Sequence, residues 1–287
     1  MKGTACITGA SSGIGRAYAM ALAETGYRLI VTGRRHEKLQ EVVAAAEQLR
    51  KTAGLDSARD EVFVGDLADP EVCAQLAARI AETTDLDFLI HNAGFGHQTD
   101  FSDTSPNELR AMGEVHMQCA VVLAHAALPR LMDSANRVDR ANRGTEAHAP
   151  AVLLVSSVAA FAPAPGPALY TATKALGVSF GRAIHPAAAR TGVRVQVVCP
   201  GFTHTGFHDR LGWSAEQRRD RGIVRWMTAA EVVRRSLHDL GRPRGRLWRD
   251  PVYVPGGYNR LIVTVLRWMP RRLYGRLAAR SFSLSKE

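Results

Sequence analysis

A single α/β domain, with a parallel sheet covered by helices on both faces, is the fold class this sequence predicts. Three observations carry that reading. Short apolar runs of strand length recur along the chain and alternate with longer segments of helical periodicity. The first run passes straight into a glycine-rich turn, Thr8-Gly-Ala-Ser-Ser-Gly-Ile-Gly15, and then into a helical pattern. No linker-like composition divides the repeating units, and 287 residues at 46% hydrophobic and 22% charged suffice for one large core.

The elements follow in order. Thr4–Thr8 reads as a short buried strand and Gly13–Thr25 as a helix stopped by Gly26. Arg28–Thr32 is the second strand; the helix expected over His36–Thr52 sets Leu39, Val42, Val43, Ala46 and Leu49 on one face. Glu61–Val64 is the third strand. Pro70 opens the next helix, since the N–H it lacks would have no partner in a first turn. Leu86–Ile90 is the fourth strand, followed by a helix from about Pro106 to Leu128. The polar stretch Asp133–Ala149 shows no periodicity and is expected to be a surface insertion. A fifth strand begins at Val152, Tyr170–Ala189 is a helix, and Val193–Val198 is the sixth strand. Thr228-Ala-Ala-Glu231 has capping-box spacing and predicts a helix to Leu240, before a last strand over Pro251–Val254. Repeated units of this kind imply parallel pairing through crossovers.

Charge is unevenly spread. The net charge is +10, yet residues 258–287 hold seven Lys/Arg and one acid and so carry +6, leaving +4 for the preceding 257 residues. A nucleic-acid surface would need a basic stripe on the folded body, and none is present there, so no nucleic-acid partner is expected. Cys6, Cys73, Cys119 and Cys199 lack CxxC spacing and read as free core thiols in a reducing compartment; no metal site is expected. The chain shows neither an apolar leader nor about 20 uncharged apolar residues in a row, and a cytoplasmic body follows as the expectation.

Chemistry concentrates in Tyr170-Thr-Ala-Thr-Lys174. On a helix the phenol and the ammonium stand at i and i+4 on one face. A free phenol titrates near about 10, and a nearby ammonium favours the phenolate and brings that value down. Ser157, thirteen residues before the tyrosine, follows the run Val152–Val155 and so belongs at a strand's carboxyl end. Serine, tuned phenol and cation could together polarise a carbonyl and exchange a proton with its oxygen. The spacing of the pair is weak alone. The glycine turn supplies the missing element, because glycine permits a tight turn and a helix N-terminus offers free N–H groups to a pyrophosphate. Its spacing is neither GxGxxG nor that of a nucleoside-triphosphate loop.

In order and spacing, Thr8-Gly-Ala-Ser-Ser-Gly-Ile-Gly15, Asn92-Ala-Gly94, Ser157, Tyr170-x-x-x-Lys174 and Pro200-Gly201 resemble the short-chain dehydrogenase/reductase family, over roughly residues 2–257. The resemblance implies a doubly wound, Rossmann-like sheet of about seven parallel strands and a nicotinamide dinucleotide cofactor. It implies reversible hydride transfer between that cofactor and a carbonyl or alcohol carbon. Gly9, Ser11, Ser12, Gly13, Ile14 and Gly15 would hold the pyrophosphate side, and Asp66 with Leu67 would lie at the adenine. Asn92, Ala93 and Gly94 would follow the adenosine ribose; Pro200, Gly201, Thr203 and Thr205 would line the nicotinamide. Tyr170 would give or take the proton and Ser157 would hydrogen-bond the oxygen. Lys174 would hold the nicotinamide ribose and lower the tyrosine's pKa. Members are usually dimers or tetramers, so a homodimer or homotetramer is expected.

Three features refine this reading. At the end of the second strand stands Gly33-Arg34-Arg35 rather than an acid, and two guanidiniums suit a 2′-phosphate; NADP is favoured, with NAD the second choice. His116 occupies a position where many members carry an asparagine that connects the lysine to solvent through a water. An imidazole there could carry the proton itself, or could be a packing residue with a satisfied ring. Phe95, Phe161, Pro163, Pro165, Phe202, Phe207, Leu211 and Trp213 are expected around the substrate, which favours a lipophilic ketone, aldehyde or alcohol. The chain is accordingly divided into a dinucleotide-binding catalytic domain, residues 1–257, and a basic amphipathic extension, residues 258–287. Within the extension, Tyr258–Met269 reads as an apolar-rich helix stopped by Pro270, which either folds back on the body or makes peripheral contact with a membrane. The competing function is a non-catalytic dinucleotide-binding regulator on the same fold.

Overall fold

The computed structural model describes residues 2–96, 100–141, 149–162, 167–212, 214, 216, 218–220, 225–242, 250–270 and 272–276, save the side chains of 138–141 and 209–210. Strands β1 (Thr4–Thr8), β2 (Arg28–Gly33), β3 (Glu61–Val64), β4 (Leu86–His91), β5 (Ala151–Val155) and β6 (Arg194–Val198) join β9 (Val252–Tyr253) in one parallel sheet. Its seven strands run in the order β3-β2-β1-β4-β5-β6-β9. The chain winds outward from β1 to β3, then returns to the other side of β1 with β4, which opens a crevice at the carboxyl ends of β1 and β4.

Alternation along the strands builds a core on each face. Ala5, Ile7, Leu29, Val31, Phe88 and Ile90 point one way, towards Tyr18 and Leu22 of α1 (Gly13–Glu24), Leu39 and Val42 of α2 (His36–Thr52) and Val233 of α8 (Ala229–Gly241). Cys6, Ile30, Leu89, Val152 and Leu154 point the other way, towards Leu76 and Ile80 of α3 (Pro70–Glu82), Leu123 of α5 (Cys119–Ala141) and Val178 of α6 (Ala168–Arg190). Polar groups caught between layers are paired. The Tyr18 hydroxyl donates to Ser236 at 2.6 Å, and Ser236 donates to Gln196 at 2.6 Å, tying α1, α8 and β6 together. All four cysteines are free and buried.

Helix ends follow their sequence signals. Asp69 accepts the Glu71 amide ahead of Pro70, and Thr228 accepts the Glu231 amide at the start of α8. The helix after β4 differs from expectation. α4 (Pro106–Gly113) passes through a π turn, Glu114–Gln118, into α5, which continues to Ala141. The stretch read as an insertion from Asp133 is thus helical to Ala141, because Ser134 and Ala135 are buried, with Ser134 donating to Asp87 of β4. Residues 142–148 lie outside the described residues. By length and composition alone, Pro106–Arg137 could cross a membrane, with a mean hydropathy of 1.2 over its most apolar window. Here it is a core helix, burying Leu123, Ala124, Ala127 and Leu131. Two short elements had no sequence signal: β7 (Thr203–His204) and β8 (Met227–Thr228), which pair parallel around α7 (Gly206–Arg210).

Helix α9 (Gly257–Trp268) packs back on the body. Val263 joins the core, and the Arg267 guanidinium sits 4.7 Å from the Phe161 ring centroid. Asn259 is buried against Gly201, where a Cβ would fall 2.6 Å from its amide. The helix is therefore pinned to the turn that leaves β6.

Candidate active site

One cavity of about 1000 Å³ opens along the carboxyl ends of the strands. Its far end is made largely of backbone. Gly9 and Gly13 have φ of 65° and 57°, a left-handed conformation that strains other residues, and they turn the chain from β1 into α1. Asn92 holds this turn by donating its amide to the carbonyl oxygens of Thr8 at 3.1 Å and Gly9 at 3.2 Å. The Thr8 hydroxyl accepts the amides of Asn92 at 3.0 Å and Ala93 at 2.9 Å, so β1 and β4 are clasped at the switch point. Ser12, the N-cap of α1, makes no side-chain cap, which leaves the first N–H groups of the helix facing the cavity wall.

Arg34 and Arg35 stand beyond the end of β2 and line the same cavity. Arg34 meets Asp66 at 3.4 Å, a pair with both partners at least half exposed, and Arg35 donates to Ser11 at 3.2 Å. A surface pair of this kind is worth little and yields readily to a ligand phosphate. Glycines without Cβ, open helix N–H groups and two cations fit a phosphorylated dinucleotide.

The middle of the cavity holds the chemistry. Tyr170 and Lys174 lie one turn apart on α6, and Ser157 begins the turn after β5, accepting the Ala159 amide at 3.1 Å. The Lys174 ammonium is 5.6 Å from the Tyr170 ring centroid and donates to the Val155 carbonyl oxygen at 3.1 Å. Burial brings Lys174 down to about 8. Burial also pushes the Tyr170 phenol up to about 12, against the opposing pull of the Ser157 hydroxyl. Among the protein groups, desolvation is the largest influence on the phenol, and the Ser157 hydroxyl is the one that opposes it. Ser156 donates to the Lys174 carbonyl oxygen at 2.7 Å, fixing α6 to β5.

His116 stands behind this centre. The Thr173 hydroxyl gives its proton to the Tyr170 carbonyl oxygen at 2.8 Å, so at 2.9 Å it accepts from His116 Nδ1–H. His116 Nε2 then accepts the Phe95 amide at 2.9 Å. Both ring nitrogens are used, and burial followed by the Lys174 charge pushes the imidazole well below its usual range. A second proton on the ring would face the Phe95 N–H. Of the two readings of His116, these contacts match the packing residue with a satisfied ring. His91, which the sequence reading passed over, is its counterpart under β4. It donates to the Val115 carbonyl oxygen at 3.0 Å, accepts from Thr8 at 3.3 Å, and is lowered by burial to about 4. A cavity of about 20 Å³, the size of one water, lies behind Lys174 between these histidines, Ser156 and Thr173.

Of the positions named from sequence, Gly9, Ser11, Ser12, Gly13, Ile14, Arg34, Arg35, Asp66, Leu67, Asn92, Ala93 and Gly94 line the large cavity. So do Ser157, Tyr170, Lys174, Pro200, Gly201, Thr203 and Thr205. Gly15 does not; it lies behind the turn, where a Cβ would strike the Gly9 carbonyl and the Asn92 amide.

At the near end Phe95, Phe202, Phe207 and Leu211 line the cavity, with the Phe207 ring 5.7 Å from that of Tyr170. Phe161 instead supports Arg267, while Pro163, Pro165 and Trp213 lie outside the described residues. Ile262 and Leu266 of α9 complete this wall and were missed. Their signal was the apolar periodicity of the segment, which does not say what a helix packs against.

Known proteins match this chain along most of its length. A family model described as short chain dehydrogenase matches residues 3–214. The uncharacterised oxidoreductase YvaG of Bacillus subtilis is 31% identical over 202 residues, covering 70% of this chain and 69% of that protein. Sulfoacetaldehyde reductase 2 of Chromohalobacter salexigens is 34% identical over 212 residues, covering 72% of this chain and 75% of that protein. Among solved structures, a short-chain dehydrogenase from Sphingobium yanoikuyae in complex with NADPH superposes with a TM-score of 0.73 at 26% identity, covering 99% of this chain and 96% of that one.

Proposed function

The chain belongs to the short-chain dehydrogenase/reductase family and is an oxidoreductase of that family, and we propose that it exchanges hydride between NADPH and a lipophilic ketone, aldehyde or secondary alcohol. The observation that carries this reading is the convergence of Ser157, Tyr170 and Lys174 on the cavity wall between a phosphate-suited end and an apolar end.

When bound, the nicotinamide supplies or accepts the hydride. The glycine turn and the first amides of α1 would hold the pyrophosphate, Arg34 and Arg35 the 2′-phosphate, and Asp66 and Leu67 the adenine. Complex formation with NADPH in the Sphingobium yanoikuyae relative supports the choice of cofactor. The Ser157 hydroxyl orients the substrate oxygen, and the Tyr170 hydroxyl delivers or takes its proton. A phenol held near about 12 is a poor base, so in the oxidative direction Lys174 would have to favour the phenolate. His116 holds Phe95 and Thr173 on either side of this centre.

The apolar near end supports a lipophilic substrate. The outward residues Val121, Val122 and Met132 of α5 support a homodimer or homotetramer formed through that helix. Free buried thiols agree with a cytoplasmic body, and the basic residues after Gly257 with peripheral membrane contact.

A panel of carbonyl compounds and alcohols, followed by NADPH and NADH absorbance, tests this reading. Turnover of apolar ketones or alcohols is expected, with NADPH favoured at least about tenfold over NADH. Cofactor binding without turnover of any panel member would sink it and leave the regulator.

A further inference from the structure

Helix α9 has two faces with different work. Inward, Asn259 and Val263 are buried, and Ile262 and Leu266 line the substrate end of the cavity. Outward, Tyr258, Leu261, Val265 and Trp268 form a stripe at helical spacing, with Leu261 59% and Trp268 86% exposed. A tryptophan so open to water gains nothing from the fold that holds it. Each cavity-lining residue is the immediate neighbour of an outward one, Ile262 of Leu261 and Leu266 of Val265. One helix is therefore the whole wall between the cavity and the outer stripe.

On the helix itself and on the turn after it, the described charges are all positive. Arg260 and Arg267 flank it on the same side, and the next helical turn, 272–276, adds Arg272 and Arg276 beside the half-exposed Leu273. The Arg225 guanidinium stands 5.3 Å from the Tyr258 ring centroid. From Pro251 to Lys286 the sequence holds no acid. Apolar residues centred on a tryptophan and edged by arginines match a surface of acyl chains under anionic headgroups. A second copy is a poorer match, because docking this face on itself would bring arginines against arginines.

We propose that the outer face of α9 docks on an anionic lipid bilayer, holding the substrate end of the cavity at the membrane surface so that a lipophilic carbonyl compound enters from the lipid. The docking stands on the outer face alone. The entry of substrate rests on the function proposed above.

The test is flotation of the full chain with vesicles of mixed phosphatidylcholine and phosphatidylglycerol, and with phosphatidylcholine alone. The wild type is expected to float with the anionic vesicles and to leave the neutral ones. The double variant Leu261→Ser, Trp268→Ser should lose at least about a hundredfold in partitioning, the equivalent of burying two fewer apolar side chains. Arg260→Gln and Arg272→Gln should each cost about fivefold. With a water-soluble ketone these variants should turn over like the wild type, whereas with a long-chain ketone carried in anionic vesicles the double variant should be slower. Flotation unaffected by lipid charge, or a double variant that floats like the wild type, overturns the docking. A wild-type assembly that the double variant splits in solution overturns it in favour of a second copy. Ketone turnover without flotation removes the docking and keeps the proposed function; flotation without turnover of any carbonyl does the reverse.

Discussion

The two ends of the large cavity are built in opposite ways. The cofactor end is made by backbone: two glycines at positive φ, open amides of α1, and carbonyl and amide groups clasped by Thr8 and Asn92. Its pieces come from strand ends that neighbour one another in the sheet. The substrate end is made by side chains, Phe95, Phe207, Leu211, Ile262 and Leu266, that come from segments far apart in the chain. Hydrogen bonds fix the first, and the packing of side chains shapes the second. A site that binds one invariant ligand can be held by directional bonds, whereas packing lets the other ligand change without disturbing it.

Variants can break this contrast, and the largest effect belongs at the boundary between the two ends. Tyr170→Phe removes the proton donor and should lower kcat by about a thousandfold or more while NADPH binding, read by fluorescence titration, stays near wild type. A parallel loss of cofactor affinity would mean that the boundary is misplaced. At the cofactor end, replacing Arg34 and Arg35 together by alanine should raise the KM for NADPH by about a hundredfold and change that for NADH little. Equal losses with both cofactors would instead make the pair a general structural element. At the substrate end, Leu266→Ala should raise the KM of a bulky ketone by about tenfold with the KM for NADPH unchanged. A shift in the cofactor's KM would show that α9 reaches across the whole cavity.

A separate effect, on stability rather than turnover, lies beneath both ends in the buried histidines. Folding holds His91 neutral down to about 4, whereas in the unfolded chain it titrates near about 6.5. The unfolded state therefore binds more protons between these values. The stability this group contributes is intact above about 6.5 and is lost as pH falls through about 4, on the order of 3 kcal/mol. His116 acts in the same direction. Thermal melts across this window should show a steeper acid limb for the wild type than for His91→Gln; equal limbs would mean that the acid sensitivity lies elsewhere.

Much of the frame was legible in advance because its signals are local. Thr4–Thr8, Arg28–Thr32 and Glu61–Val64 are short apolar runs between turn residues, and the sheet uses each of them. Pro70 and Thr228 marked helix starts by chemistry confined to three or four residues. Asp133–Ala141 was misread because its apolar contacts are sparse: Ser134 and Ala135 do the packing, and neither looks like core in a sequence. The i+4 spacing of Tyr170 and Lys174 is visible in sequence, whereas the burial that pushes the phenol up is not.

By itself the sequence determined the sheet, the glycine turn, the pairing of Tyr170 with Lys174 on one helix face and the family, because backbone conformation and neighbour spacing are written within a few residues of each position. Only the tertiary structure decided that His116 is hydrogen-bonded between Phe95 and Thr173, and that α9 returns to wall the substrate end with Ile262 and Leu266. Those outcomes depend on desolvation and on contacts between segments up to a hundred or more residues apart, and neither leaves a periodic trace in the chain.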